Sequence, residues 1–251
     1  MVHDRKGVKF PPAAMKMVKT FLLMFAAGLI LLVGYYVARV AFRPARYLNF
    51  IEYMRDPLGH KDWSLTAKQR CPDAPFQHPT DGYIGFLWGD SFRIGHSHQG
   101  LDIFGGEEPG ITPVYAAFDG YLTRESDWKS SLIIRVPSDP LRPGSQIWTY
   151  YTHLADQNGK SYISVDFPPG TSEVFVKAGT LLGYQGNFSG TPNNPVGVHL
   201  HFSIVKDNGS GHFLNELEIK NTLDPSPYFN LPVNGKENKD TIPVCGATLA
   251  K

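Results

Sequence analysis

The hydrophobic residues of this 251-residue chain follow two different patterns. From Thr20 to Ala38 the sequence is almost continuously apolar and contains no charged residue. At about 1.5 Å per residue, this stretch is close to the roughly 30 Å thickness of a membrane's hydrocarbon core. From Phe76 onward, short apolar runs alternate with clusters of glycine, proline and polar residues. The first pattern predicts one transmembrane helix, and the second predicts a β domain.

Eight strands are predicted in the second region, each bounded by turn-forming residues. They are Tyr83–Trp88, Thr112–Ala117, Gly120–Arg124, Leu132–Val136, Ile147–His153, Glu173–Val176, Leu181–Tyr184 and Val198–Val205. Because no long helix intervenes between them, neighbouring strands are expected to pair antiparallel. The predicted fold class is therefore mainly β, preceded by one N-terminal transmembrane helix.

The chain divides into five predicted segments, and only one of them is an ordinary globular domain. They are a short basic segment (1–19), a signal anchor (20–38), a connector (39–75) in which Phe50–Met54 forms a short helix, a β domain (76–230) and a C-terminal tail (231–251). A cleaved signal peptide would have a shorter apolar part of about 7–15 residues and a small-x-small cleavage site. Arg39–Pro44 is a poor site of that kind, which favours an uncleaved anchor.

The cationic residues around the apolar stretch bear on its orientation. Arg5, Lys6, Lys9, Lys16 and Lys19 precede it, and Arg39, Arg43, Arg46 and Arg55 follow it. The positive-inside rule leans towards an N-terminus inside the cell. The β domain is then expected on the extracytoplasmic side of the cell membrane.

Composition and cysteine usage exclude several classes of protein. The formal net charge is only +1 and there is no run of basic residues, so no nucleic-acid partner is expected. Cys71 and Cys245 form no Cys-x-x-Cys motif, which argues against a thiolate zinc site or a thioredoxin-like centre. They bracket the β domain, and an extracytoplasmic compartment permits a disulfide, so we expect them to pair.

The last predicted strand carries two histidines. Alternation places His199 and His201 on one face and the apolar Leu200, Phe202 and Ile204 on the other. The two imidazoles are about 6.5–7 Å apart along the strand, too far to share one ion symmetrically through Zn–N bonds of about 2.0–2.1 Å. It is easier for one to bind a metal while the other stands beside a metal-bound water. Two polar residues on a solvated strand face are the simpler explanation of an isolated His-x-His.

His98 and Asp102 form a second candidate site. Gly95 and Gly100 argue against a helix here, and in an extended strand the two side chains would be about 13 Å apart. The segment must bend if both bind one ion, and Gly100 supplies the freedom to bend. With one imidazole from the last strand they would provide three ligands and leave a fourth position for water, as in catalytic zinc sites. His96 is a competing ligand, although a solvent-exposed or supporting position suits it better.

His153 ends an aromatic strand that contains Trp148, Tyr150 and Tyr151. A single histidine after such a run is more often structural. It gains a functional interpretation only if this strand lies beside the strand of His199 and His201.

Together these motifs resemble those of the lysostaphin/LytM-type zinc metalloendopeptidases. The resemblance covers about residues 75–228. It rests on the ordered segments His98-Gln99-Gly100-Leu101-Asp102-Ile103, Thr112–Ala117 with Asp119-Gly120, Tyr151–Leu154, Lys177–Gly186 and His199–Phe202. It implies an antiparallel β fold with an open groove, and hydrolysis of peptide bonds in bacterial peptidoglycan.

The resemblance also implies individual roles. His98, Asp102 and His201 match the ligands of one zinc ion per domain, and His153 and His199 match the catalytic histidines that are not ligands. A zinc-activated water would then attack the peptide bond while a histidine accepts its proton.

The sequence departs from the family pattern at one place. The segment from Asn187 to Gly197 is longer than the short Ser/Gly stretch usual in the family, and Val198 replaces a proline. Both changes lie at the expected groove mouth, where they would affect substrate preference more than catalysis.

Two other functions remain open at the level of sequence. A non-catalytic member could bind the cell wall or activate another hydrolase, but such members generally lose ligands, and here every ligand position is filled. Two histidines and one carboxylate also describe the ligand set of non-haem iron enzymes. The expected partners are a peptidoglycan peptide and the membrane, and the oligomeric state is left open.

Overall fold

The computed structural model describes residues 12–41, 45–91 and 95–246, with the side chains of residues 16–37, 46–91 and 95–246. Several residues used in the predictions lie outside these ranges. They are Arg5, Lys6, Lys9 and Arg43 of the charge comparison, the first part of the predicted basic segment, and residues 247–251 of the predicted tail.

The apolar stretch forms a long helix, α1 (Pro12–Ala41). Within it, the span Lys16–Val37 contains an 18-residue window with a mean hydropathy of 2.2, and no residue of the span is buried. By length and composition this helix is able to cross a membrane. A signal sequence near an N-terminus has the same length and composition.

The described residues from 45 onward form a second compact unit that contains all of the β-structure. Its strands are β1 (Tyr83–Phe86), β2 (Leu101–Phe104), β3 (Pro113–Tyr115), β4 (Gly120–Thr123), β5 (Leu132–Val136), β6 (Ile147–Thr152), β7 (Val174–Val176), β8 (Leu181–Tyr184), β9 (Leu200–Lys206) and β10 (Thr222–Leu223). Its helices are α2 (Ala45–Arg55), the short α3 (Ser226–Phe229) and two single 3₁₀ turns at Lys61–Trp63 and Ile219–Asn221.

The main sheet has eight strands, and every neighbouring pair in it is antiparallel. The order is β1-β2-β9-β6-β5-β4-β7, and β10 pairs with the C-terminal half of β9. β3 and β8 form a separate antiparallel pair. The predicted mainly β, antiparallel fold is confirmed, and β9, with its neighbours β2 and β6, lies in the interior of the main sheet.

All eight predicted strands are present, with ends displaced by two residues or fewer. β2 and β10 were not predicted as strands. All four residues of β2 are buried, so its sequence lacks the alternation that marks a half-buried strand. β10 has only two residues, too few for a pattern.

Both faces of β9 are covered, although the simpler interpretation of its sequence left one face in solvent. Leu200, Phe202 and Ile204 are fully buried in the main core, as alternation predicts. Ser203 and Val205, on the opposite face, are fully buried as well. A smaller apolar cluster covers that face and consists of Ile133, Trp148, Tyr150 and Val205, with Trp128, Phe213 and Leu214 packed against it.

Part of the predicted connector packs directly on the sheet. α2 is longer than the predicted Phe50–Met54 helix, and its Phe50 ring lies 4.7 Å from the ring of Phe104, centroid to centroid. A Cβ at Gly85 would lie 2.7 Å from the Phe104 ring and 3.0 Å from Phe50, so the glycine permits this close packing. α2 therefore belongs to the same compact unit as the strands.

The predicted tail is tied to the same unit. A disulfide joins Cys71 to Cys245 across a sequence separation of 174 residues, which confirms the predicted pairing. Leu231 and Val233, at the start of the tail, are fully buried in the main core. The chain after residue 230 is thus part of the folded domain at least as far as Cys245.

Candidate metal centre

The sheet order brings the three histidine-containing motifs together. β9 lies between β2 and β6, and His201 is directly opposite Asp102 on one side and Thr152 on the other. His153 follows Thr152 immediately, and His199 lies just before β9. Antiparallel register therefore gathers residues that are up to about a hundred positions apart in sequence.

Three donor atoms converge at this point. The Nε2 atom of His98 is 3.0 Å from Oδ1 of Asp102 and 3.1 Å from Nδ1 of His201, and the last two atoms are 2.7 Å apart. At these separations, one ion can lie at the roughly 2.0–2.1 Å of a zinc bond from all three atoms at once. The ligand set thus fits a zinc ion.

Backbone contacts determine which nitrogen His98 presents. Its Nδ1–H donates to the carbonyl oxygen of Leu87 at 3.0 Å, which leaves Nε2 facing the other two donors. The main-chain N–H of His98 donates to the carbonyl of Asp90 at 2.7 Å. The Asp90 carboxylate accepts hydrogen bonds from the Arg46 guanidinium and from the N–H of Leu87, each at 2.7 Å. The helix α2, through Arg46, therefore helps to fix the loop that orients His98.

Gly100 permits the close approach of β2 to β9. A Cβ at this position would lie 2.1 Å from the carbonyl oxygen of Phe202 and 3.0 Å from Nε2 of His201. The role of Gly100 is therefore to make room for the neighbouring strand. This differs from the bending freedom that its sequence context predicts.

The electrostatics of the three donors favour a bound cation. Burial raises the pKa of Asp102, but the charges of His98 and His199 outweigh it and hold that pKa well below its usual value. Burial lowers the pKa of His98, and the Asp102 carboxylate outweighs this effect and raises it. Burial also lowers the pKa of His201, which favours its neutral form. The buried Asp102 carboxylate thus favours a positive charge among these imidazoles. A metal ion and a proton would compete for the same nitrogen and oxygen atoms.

His199 and His153 stand beside the three donors with their rings 4.5 Å apart, centroid to centroid. The Nδ1–H of His199 donates to the carbonyl of Gly197 at 2.7 Å, and that of His153 donates to the carbonyl of Phe188 at 2.6 Å. Each imidazole therefore keeps Nε2 free for another partner. In His199 this atom lies 3.5 Å from the Asp102 carboxylate.

His153 has two unusual properties. Its backbone φ of 71° lies in the left-handed region, which is uncommon for a residue with a side chain and costs roughly 1–3 kcal/mol. Burial, followed by the nearby charges of His199 and His201, lowers its pKa to about 3. The side chain is therefore neutral around pH 7, and the strained backbone places it at the end of β6 beside the donors.

The five predicted site residues thus lie in one group, whereas His96 does not join it. His96 lines a separate cavity of about 290 Å³ with Ser97, Gln99 and residues 217–220. No sequence pattern marks the anchoring carbonyls of Leu87, Phe188 and Gly197, because every residue type carries a backbone carbonyl. The Arg46–Asp90 contact was equally hidden, since it joins residues 44 positions apart.

Comparisons with known proteins give matches among solved structures. No protein-family profile and no curated protein matches the chain. The catalytic domain of the antimicrobial peptidase lysostaphin from Staphylococcus simulans is 21% identical, over 59% of this chain and 90% of that domain, with a TM-score of 0.37. LytU is 23% identical, over 62% of this chain and 83% of that one, with a TM-score of 0.35.

Csd3 from Helicobacter pylori is 18% identical, over 57% of this chain and 33% of that one, with a TM-score of 0.35. At TM-scores of this size the likeness decides neither fold nor activity. The solved structures to which this chain is similar include lysostaphin/LytM-type peptidase domains, the family that its motifs resemble.

Proposed function

We propose that this protein is a zinc-dependent endopeptidase that hydrolyses peptide bonds of peptidoglycan. The observation that carries the proposal is the convergence of three donor atoms, 2.7–3.1 Å apart, beside two imidazoles whose tautomers are fixed by backbone carbonyls. The choice of peptidoglycan as substrate rests on the ordered motifs that the sequence shares with the lysostaphin/LytM-type family.

His98, Asp102 and His201 would hold the zinc ion. His201 suits this role better than His199, because its Nδ1 approaches both other donors whereas His199 approaches only the carboxylate. When bound, zinc supplies a Lewis acid that polarises the peptide carbonyl and lowers the pKa of a water towards about 7.

His153 and His199 would move protons during the reaction. In the neutral form each has its proton on Nδ1, held by a backbone carbonyl, so Nε2 can accept a proton from the attacking water. The protonated imidazole can then donate that proton to the leaving amine. The fixed ring orientation means that neither side chain has to reorganise as charge develops.

Product analysis tests the reaction. The full-length, zinc-loaded protein in detergent is incubated with purified peptidoglycan, and the released fragments are identified by mass spectrometry. We expect fragments with new amino and carboxyl termini in their peptide part and intact glycan strands, and no release with the His201→Ala variant. Cleavage between sugars, or equal release by that variant, would contradict the proposal.

Two observations would identify the alternative functions. Wall binding by folded protein without any new peptide terminus would indicate a non-catalytic wall protein. Purified active protein that contains iron, and whose activity is restored by iron but not by zinc, would indicate the non-haem iron class.

The proposed location is the cell membrane, with the β domain on the extracytoplasmic side. α1 and the disulfide both suit this location, because disulfides persist in oxidising compartments. A protease added to intact cells, or to spheroplasts where an outer membrane exists, should remove the β domain. Survival of the domain while an external control protein is digested would overturn this location.

A further inference from the structure

A cleft of about 260 Å³ opens beside His153 and His201. Most of its other walls are neutral. They are formed by Gln99, Ser130, Ser131, Tyr150, Thr152, Phe188, Ser189, Gly190, Glu216 and Leu217. Because His201 is both a wall of this cleft and a proposed zinc ligand, a peptide held at the proposed zinc site has the cleft directly beside it.

The floor of the cleft is a network of hydroxyl groups. The Tyr150 hydroxyl donates to Oγ of Ser131 at 3.0 Å, and Oγ of Ser131 and Oγ1 of Thr152 are 2.6 Å apart. These groups satisfy one another and carry no charge. They suit a polar peptide backbone and do not select for the charge of a substrate side chain.

Glu216 is the one carboxylate among the described residues that line the cleft. It is half-buried, and no described lysine or arginine pairs with it. Glu218, two residues further on, does pair with Lys220 at 2.7 Å. Burial raises the pKa of Tyr150, and the charge of Glu216 adds to the effect, so this carboxylate acts electrostatically on the cleft floor.

The segment that carries Glu216 is tied to the loop of the zinc ligands. Nε2 of Gln99, the residue after His98, donates to the carbonyl of Leu217 at 2.6 Å. Asn221 and Leu217 also form hydrogen bonds with Asn215, at 2.9 and 3.1 Å, which fold the segment on itself. Glu216 is therefore held at a defined place beside the metal centre.

We infer that Glu216 is a specificity-determining residue that binds a primary ammonium group of the substrate beside the cleaved bond. An unpaired carboxylate in a partly desolvated cleft attracts a cation more strongly than an exposed one does. The ammonium can belong to a side chain or to a free peptide N-terminus. This inference rests on the proposed peptidase function and extends it to the class of peptide.

The test compares three forms of one soluble peptide, the smallest wall fragment that the full-length zinc-loaded protein cleaves. One form is unmodified, one is acetylated on the side-chain amine, and one is acetylated at the N-terminus. We expect one acetylation to lower kcat/KM by about 10-fold, since a charged hydrogen bond of ordinary strength is lost. The acetylated form that is affected identifies the source of the ammonium.

Variants of the chain assign the preference to one residue. Glu216→Gln should lower kcat/KM for the unmodified peptide by about 10-fold. It should not change kcat/KM for the acetylated peptide that wild type cleaves more slowly, so the preference between the two peptides disappears. Glu216→Asp keeps the charge and should keep the preference. Glu218→Gln is the matched control, because its carboxylate already pairs with Lys220, and it should behave like wild type.

Two results would overturn the inference: equal cleavage of all three peptides by wild type, or an undiminished preference in Glu216→Gln. Circular dichroism and zinc content confirm that each variant is folded and loaded. If neither the peptidoglycan nor any fragment of it is cleaved at a peptide bond, the proposed peptidase function fails instead. The two failures are therefore distinguishable.

Discussion

Two histidines in this protein are similarly buried and similarly bonded through Nδ1, but their pKa values are shifted in opposite directions. His78 and His98 are 1% and 3% exposed, and each bonds through Nδ1 to a backbone carbonyl, of Thr66 at 3.2 Å and of Leu87 at 3.0 Å. Each also belongs to a group of three side chains of metal-binding type. Burial lowers the pKa of His78 to about 4, whereas the pKa of His98 is raised.

The difference lies in the neighbours of Nε2. His78 faces the sulfurs of Cys71 and Cys245 at 3.5 and 3.9 Å, and a disulfide joins these sulfurs, so neither is a thiolate. His98 faces the Asp102 carboxylate at 3.0 Å. Burial by itself makes a histidine neutral, while a buried carboxylate creates a place for positive charge. The comparison therefore separates a structural histidine from a candidate ligand without reference to sequence motifs.

The largest effect is expected when one of the two groups loses a donor. His201→Ala leaves only His98 and Asp102, so the variant should lose bound zinc and essentially all peptidase activity. His78→Ala should keep one zinc per chain, although it is destabilised. Zinc is measured by atomic emission after dialysis of the folded proteins. Zinc retention by His201→Ala together with zinc loss by His78→Ala would reverse the comparison.

The two histidines beside the donors should affect turnover and leave the metal in place. His153→Ala and His199→Ala are each expected to keep near-stoichiometric zinc and to lower kcat by about 10²–10⁴-fold, the usual contribution of a positioned acid or base. Zinc content and kcat are measured on the same preparations, with wild type as control. Zinc loss in His199→Ala while His201→Ala retained zinc would exchange their roles.

Removal of the disulfide should affect stability and spare the metal centre. The Cys71→Ser/Cys245→Ser double variant should lose about 5 kcal/mol of unfolding free energy in the chain-entropy model, because the bond closes a loop of 174 residues. Zinc content should not change. Guanidinium unfolding in detergent, followed by tryptophan fluorescence, measures the first effect. An unchanged unfolding midpoint would contradict it.

The smallest expected effect is a pH dependence that belongs to His78. The folded protein holds His78 neutral down to about pH 4, while the unfolded chain takes up a proton below about pH 6.5. The contribution of His78 to the free energy of unfolding is therefore fully present above pH 6.5. About 3 kcal/mol of it is lost as the pH falls to 4.

The matched variant for this prediction is His78→Gln, which keeps a donor for the Thr66 carbonyl. The difference in unfolding free energy between wild type and variant should change by that amount between pH 6.5 and 4. His153, whose pKa is also lowered, contributes equally to both proteins and cancels. A difference that is constant with pH would show that the pKa of His78 is not lowered by folding.

The sequence predicted the parts of this molecule that depend on local pattern and residue chemistry. The strands from Tyr83 to Val205 have turn residues at their ends, and the five site residues are of types that seldom lack a role when they occur in this order. The all-buried strand β2 and the packing of α2 depend on neighbours distant in sequence, so no local pattern marks them. The same is true of Glu216, whose importance comes from the cleft around it.

The loop from Asn187 to Gly197 has a consequence for sequence variation and engineering. It reaches His153 and His199 through the carbonyls of Phe188 and Gly197, and residues 190–196 between them are exposed. The orientation of both imidazoles therefore depends on the path of the loop and not on its side chains. Thr191, Asn194 and Val196 can be randomised to search for new substrate preferences if Gly190 and Asn193, whose φ angles of 93° and 60° lie in the left-handed region, are kept. A deletion in the loop would shift both histidines at once.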